Sequence, residues 1–540
     1  MAINQGEIEV SKKTLLHISE GIYRTEGSSI KELISNAFDA KATKVVINTN
    51  YPTFDILTCQ DDGVGMTEGE FLRIVQGGIG DSPKSTISQI NAGDRPTIGK
   101  LGIGILAIAQ ICRSFTIISH HEESKTGFKG RMVFRTDVDK VAKKKSLEPG
   151  DKQKNYEIGT WELEERYEYD SKKKGVLIFT KDLRQSYAKR FRESKAILQA
   201  PKNDTPLNFS TLLDYFYIND YRAIKELGPY YELIWELCQL APLPYFNDTP
   251  LREEIKDHIT VYPFENAGLH KHGLSFIKAK QAELKAFDFT VIFDDIRLYR
   301  GIKLPYPIWR HSHLQQCQFF YFEYDNIVRK RPLKFQAYFF SQECAIKPRD
   351  LKGLQIRIKN VGIGLYDATF IKYDKIESPR DNWISGEIYV HEGLESALNI
   401  DRDSFNENDE HYFILKQQIH RFLSSKVFPT VSSLQRKRNK EKRIRDAESR
   451  VLEMQEELEV LFNEYSEFDV EFRENGQELI VDLDEQTISF PNDILLATFK
   501  KRRDFFSTNI LEFIEVFRHS LGDNSDVSDG IKKLTSIILG

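Results

Sequence analysis

Between residues 29 and 40, apolar Ile30, Leu33, Ile34, Ala37 and Phe38 recur at helical spacing. The pattern predicts a helix whose other stripe carries Glu32, Asn36 and Asp39 on one face. Short runs suited to strands follow at Val45-Val46-Ile47, Phe54-Asp55-Ile56-Leu57, 115–119 and 176–180. Beyond about residue 185 the pattern is mixed, with a break at Ala241-Pro242-Leu243-Pro244. Strand-like runs return at 287–293, 319–324, 336–340 and 354–358, and 412–422 reads as a closing helix. Near Lys426 the period changes. Ile444, Val451, Leu458 and Tyr465 stand seven apart, as do Ala447, Met454, Leu461 and Phe468, like the a and d positions of a coiled coil. Asn475-Gly476 signals a hairpin turn, and a last helix is expected over 493–521.

These patterns predict an α+β chain in four parts: 1–184, 185–425, a coiled coil at 426–468, and a small α+β tail at 469–540. A chain of 540 residues exceeds what one hydrophobic core holds, which agrees with several domains. A hydrophobic share of 40% beside a charged share of 29% describes an ordinary soluble globular protein. The net charge of −5 argues against a surface coated in basic residues but leaves room for local patches. Two stand out, Arg329-Lys330-Arg331 and the run from Arg436 to Arg445, and such runs usually form solvated faces. No stretch approaches the ~20 apolar residues of a membrane span, and the N-terminus shows no secretory pattern. Five scattered cysteines, none in a CxxC pair, indicate neither a disulfide framework nor a zinc site. The pairs His270/His272 and His311/His313 lack nearby acids or cysteines at ligand spacing and read as surface loop residues. A reducing cytoplasm is the expected compartment.

Three motifs carry chemistry. Glu32 could be a capping-box partner of Ser29, three residues before it, or it could point into a polar cavity. Next, directly after a strand, comes Asp61-Asp62-Gly63-Val64-Gly65-Met66. A carboxylate there can accept a hydrogen bond from an exocyclic amine while the glycines let backbone approach a flat ligand. Third is Gly99-Lys100-Leu101-Gly102-Ile103-Gly104, a glycine-rich loop feeding an apolar helical run, where exposed N–H groups attract phosphate.

In this order and spacing the three motifs resemble the GHKL superfamily of ATPases, which includes gyrase, the heat shock protein 90 family, histidine kinases and mismatch-repair MutL. The resemblance implies a Bergerat-type α/β sandwich for the first part and a transducer-like α/β middle domain for the second. It implies that ATP and Mg2+ are bound. Glu32 matches the general base, Asn36 the magnesium ligand and Asp61 the adenine-binding carboxylate. Gly63, Gly65 and Met66 match the purine-pocket wall, and Gly99, Lys100, Leu101, Gly102, Ile103 and Gly104 match the hinge of a lid that would occupy 67–98. Asp39 is read as structural. One departure concerns the base contacts: relatives usually open a late strand with Gly-Thr, where this chain has Gly175-Val176.

A kinase is not expected, because the pocket begins about thirty residues from the N-terminus and the kinases generally lack the hydrolytic glutamate. The hinge is similar to that of the heat shock protein 90 and microrchidia-like branches. The stretch 396–405 resembles the catalytic loop of the chaperone middle domain, which makes Arg402 the residue that would reach the γ-phosphate; a surface ion pair with Asp401 or Asp403 is the alternative. Arg380 is a weaker candidate. The expected function is an ATP-hydrolysing, ATP-gated clamp of the chaperone kind, homodimeric through its N-terminal domain and coiled coil. Two alternatives stand beside it: a microrchidia-like DNA-associated ATPase, with prokaryotic genome defence as one setting, and a non-enzymatic ATP-gated scaffold. Its partner is accordingly a protein client or DNA, with no membrane.

Overall fold

The structure is a computed structural model that describes residues 3–10, 26–79, 108–109, 111–124, 126–135, 156–167, 174–192, 208–218, 224–262, 273–310, 312–374, 380–399, 403–465, 469–473, 480–482 and 487–491. The chain divides into two units, Met1–Val431 and Ser432–Gly540. The first begins with β1 (Ile3–Val10), α1 (Glu26–Asp39), β2 (Lys44–Asn48), β3 (Leu57–Asp61), α2 (Glu68–Val75) and β4 (Gln76–Ile79). It continues with β5 (Cys112–His120), β6 (Gly127–Phe134), β7 (Tyr156–Tyr167), β8 (Gly175–Leu183), α3 (Gln185–Arg192), α4 (Phe209–Ile218) and α5 (Pro229–Leu240). Then come β9 (Ile259–Tyr262), α6 (Gly273–Ala286), β10 (Thr290–Phe293), β11 (Ile296–Arg297), β12 (Trp309–Arg310), β13 (His313–Leu314), β14 (Cys317–Val328) and β15 (Arg331–Ser341). Last are β16 (Gly353–Ile358), β17 (Val361–Asp367), β18 (Ile384–Glu392) and α7 (Glu410–Phe422), and the long α8 (Phe428–Tyr465) begins here with most of its residues in the second unit.

Among the described residues, ten strands form one mixed sheet in the order β11-β10-β2-β3-β8-β5-β6-β7-β1-β4. Most joins are antiparallel; β10 lies parallel to β2, and β1 parallel to β4. The first part of the chain is therefore mixed α/β, as its alternating patterns predict, and its large sheet also takes in β10 and β11 from beyond residue 184. Helix α1 is buried nearly all round. Ile30, Ile34 and Phe38 are fully enclosed, and so, almost, are the polar Lys31, Glu32 and Ser35. Helix α5 packs beside it, starts on Pro229, whose fixed φ suits a first helical position, and stops where Pro242 and Pro244 follow.

A second sheet has the order β17-β16-β18-β15-β14-β9. Its strands alternate as the pleat requires: Phe319, Tyr321, Tyr338 and Phe340 enter the core shared with α1 and α5. Phe320, Phe322, Ala337 and Phe339 enter a second core under Leu415 and Ile419 of α7. Helix α7 is capped by Asp409, whose carboxylate accepts from the His411 and Tyr412 amides, and it passes through a π-turn at Leu423–Val427 toward α8.

Four local expectations change. Helix α1 begins at Glu26, so Ser29 lies inside it and cannot be its N-cap. The strand expected at 54–57 starts instead at Leu57, because Phe54 is buried in a left-handed conformation with φ 50°. The opening of the segment expected as a lid is α2, closed by a Thr67–Glu70 capping box and anchored by buried Phe71 and Val75. In the second unit β19 (Asp469–Arg473), β20 (Ile480–Asp482) and β21 (Thr487–Pro491) do not form the expected hairpin through Asn475-Gly476. The strand β21, rich in β-formers, takes the middle place, parallel to β19 and antiparallel to β20. The expected helix over 493–521 and the heptad side chains beyond Arg445 lie outside the described residues. Among the described residues no helix is long and apolar enough to cross a membrane.

Candidate functional site

The last turn of α1 and the turn after β3 are stitched together by backbone. The Val64 amide donates to the Ala40 carbonyl at 2.9 Å, and the Asp62 carboxylate accepts from the amides of Thr43 and Lys44 at 2.7 and 2.8 Å. The helix carrying Glu32 and Asn36 is thus fixed against the turn carrying Asp61, Gly63, Gly65 and Met66. Asn36 stands one helical turn beyond Glu32, about 6 Å along the axis, and is partly exposed where Glu32 is only 2% exposed. Losing Ser29 as a cap removes the capping-box role for Glu32. Ser29 Oγ is itself buried without a hydrogen-bond partner among the described residues.

Asp61 closes β3 with its carboxylate largely buried. The Gly63 amide donates to Oδ1 at 2.9 Å, and the Val176 amide also donates to the carboxylate. Burial outweighs these donors and pushes the Asp61 carboxyl up to about 6. The position after Gly175 thus serves Asp61 through its backbone, which valine supplies as well as threonine. Two glycines are required by close approach. Gly65 sits at φ +80°, where a Cβ would strike the His120 carbonyl, and Gly175 sits at φ +120°, where one would strike the Asp61 carbonyl. Ser119 on β5 ties the Met66 turn to β8: its hydroxyl accepts from the Met66 amide at 2.7 Å and faces the Gly175 carbonyl at 3.2 Å. No sequence pattern marked Ser119, since its role depends on β5 lying beside β8.

A buried carboxylate held by two backbone amides suits the amine edge of a purine, so the base side of a nucleotide fits the residues present. Asn36 offers one side-chain oxygen toward a metal ion. Gly99, Lys100, Leu101, Gly102, Ile103 and Gly104 lie outside the described residues, as does Arg402. For Arg380 only the backbone is described, in a short 3-10 turn at Arg380–Trp383.

The sequence motifs do not include Lys31. It is 1% exposed, and its ammonium lies 2.6 Å from the carboxylate of Asp403, a neighbour of Arg402 in the chain. A lysine at a core-facing helix position was the available signal.

Residues 23–160 match the family model described as histidine kinase-, DNA gyrase B-, and HSP90-like ATPase. A protein of Herpetosiphon aurantiacus described as "Putative type II restriction enzyme HgiDII" is 35% identical over 138 residues, which make up 25% of this chain and 21% of that protein. The alignment thus spans about a fifth of the relative's length.

Proposed function

We infer, from a GHKL-type ATPase segment at residues 23–160, that the chain binds ATP and hydrolyses it as an ATP-gated clamp. The observation that carries this is the junction of α1, which holds the buried acid Glu32, with the turn that follows the buried carboxylate Asp61. In this reading Asp61 accepts the adenine amine, and Gly63, Gly65 and Met66 wall the ring. Glu32 takes the proton of the attacking water, and Asn36 holds Mg2+, which would neutralise phosphate charge. Residues 99–104 would cradle the phosphates and Arg402 would meet the charge that develops on transfer. Glu32→Ala should keep nucleotide affinity within about twofold while hydrolysis falls about 10²–10⁴-fold. A phosphate-release assay beside a binding titration checks this, and normal hydrolysis in the variant would remove Glu32 from the mechanism.

Of the two objects such a clamp could act upon, DNA has the better support. The relative's printed description is of a restriction enzyme. Helix α8 also displays a basic run, in which Arg436, Lys437, Lys440, Lys442 and Arg443 are all exposed within one short stretch. ATPase rates with and without duplex DNA separate this reading from a protein-client clamp, which DNA would not stimulate. Single-turnover kinetics separate both from a scaffold that hardly hydrolyses ATP.

A further inference from the structure

The chain buries a lysine beside its candidate general base and neutralises it from the far end of the same unit. Lys31 precedes Glu32 on α1, is 1% exposed, and donates from Nζ to Asp403 Oδ1 at 2.6 Å across 372 residues of sequence. The Asp403 side chain is 11% exposed, so the pair sits largely out of water.

Asp403 opens a stretch that is held to residues 397–399 by several contacts. Leu398 bridges Phe405, the Asn399 amide donates to the Ser404 carbonyl at 3.0 Å, and Asn399 Nδ2 donates to Ser404 Oγ at 2.9 Å. The Asn406 amide returns to the Ala397 carbonyl at 2.8 Å, and Phe405 stacks on Tyr412 of α7 at 4.8 Å. The loop is therefore shaped by its own contacts, and its seat depends on what it meets. On one side Gly364 of β17 lets the Asp403 carbonyl come near; on the other stands Lys31.

An ammonium withdrawn from water is strongly disfavoured unless a counter-charge meets it. With Asp403 in place α1 keeps Lys31 enclosed; with the loop displaced, that charge must find water or leave the helix strained. The seat of the loop and the seat of the helix thus stabilise one another, and such coupling is reciprocal. Each end of the pair is one residue from a group assigned to the chemistry, Glu32 on the helix and Arg402 on the loop.

We propose that the Lys31–Asp403 ion pair is the positioning contact that seats the segment at 403–406 on the nucleotide helix and thereby supports hydrolysis. This rests on the ATPase reading above. Asp403 and Lys31 are positioning residues and touch no reacting atom.

The test uses the full chain and four variants: Asp403→Ala, Asp403→Asn, Lys31→Met, and the exchanged pair Lys31→Asp with Asp403→Lys. Three quantities are measured: affinity for a fluorescent ATP analogue, kcat and KM for ATP, and hydrogen exchange of peptides over 394–406. The single variants should lower kcat by about tenfold with KM and affinity within about twofold, and loop exchange should quicken. The exchanged pair should recover a substantial part of kcat and of the protection. Single variants with wild-type kcat and unchanged exchange would overturn the proposal, as would a loss carried wholly in KM. Should Asp403→Ala fail to fold, the isosteric Asp403→Asn carries the same readouts. If the wild-type chain binds no ATP, the ATPase reading fails; quickened loop exchange in Lys31→Met then still supports the seat, and unchanged exchange refutes it.

Discussion

Glu32 and Asp61 are both acids of the first sheet's helix and strand layers, but their surroundings treat them differently. Glu32 is enclosed within a helix, whereas Asp61 ends a strand under two amide donors. Burial sets the Asp61 carboxyl at about 6, above its ordinary 3.8. A raised acid pKa means that the unfolded chain gives up its proton first. Ionising Asp61 therefore works against the native state, and its contribution to stability declines as pH rises from about 4 to 6 and is level above that. A bound purine amine reverses the preference by favouring the ionised form. Affinity for adenosine, which carries no titrating phosphate, should accordingly fall as pH drops below about 6 in the wild-type chain. Asp61→Asn should abolish binding across the range. Isothermal titration at several pH values checks both, and retained affinity in Asp61→Asn would dismiss the pocket.

At the scale of elements, the second sheet is joined to the bridged segments at Tyr245 and Arg300 by a fully buried polar cluster. Glu387 of β18 accepts from Arg357 Nε at 2.5 Å and from the hydroxyls of Tyr245 and Tyr338 at 2.5 and 2.6 Å. Arg300 lies 3.8 Å from the same carboxylate and donates to the Tyr389 hydroxyl at 2.6 Å. Burial alone would raise the Glu387 carboxyl, but the two guanidinium groups and the tyrosines hold it at about 2. A lowered acid pKa contributes stability that is present above the unfolded value near 4.5 and lost as pH falls toward 2. Glu387→Gln leaves two buried cations without their counter-charge and should cost about 3–5 kcal/mol in urea unfolding. The loss of stability between pH 4.5 and 2 should also become shallower in that variant. A wild-type midpoint in urea would show that the cluster does not hold the sheet to the Tyr245 and Arg300 segments.

At the scale of the whole molecule, the net charge of −5 conceals a strongly basic stretch of α8. If that stretch meets duplex DNA, affinity should fall steeply with salt through counterion release. Replacing Arg436, Lys440 and Arg443 together by alanine should weaken binding to all sequences and reduce the salt slope by about 0.9 for each phosphate no longer neutralised. Gel shifts at several salt concentrations check this, with ATP hydrolysis in the absence of DNA as the control that should not move. A triple variant that binds DNA with unchanged affinity and slope would place any DNA-binding surface elsewhere.

The sequence by itself determined the local pieces: the α1 helix, the strand at Val45-Val46-Ile47, the chain's turn to sheet-forming runs after residue 285, and the break at Pro242. Those features are written in short-range periodicity and backbone stereochemistry, which need no distant partner. It also carried the GHKL resemblance, because Asp61, Gly63 and Gly65 lie within five residues of one another and the family match covers them. Tertiary structure decided what depends on neighbours far along the chain. The three strands of the tail order themselves around β21 against the local turn signal at Asn475-Gly476. Ser119 came to bind Met66 and Gly175 only because β5 lies beside β8. The capping-box role of Glu32 fell because the helix begins three residues before Ser29 and closes over the acid. Lys31 acquired its partner from a loop 372 residues away, since a desolvated charge is neutralised by whatever the fold brings to it, and spacing in sequence carries no record of that.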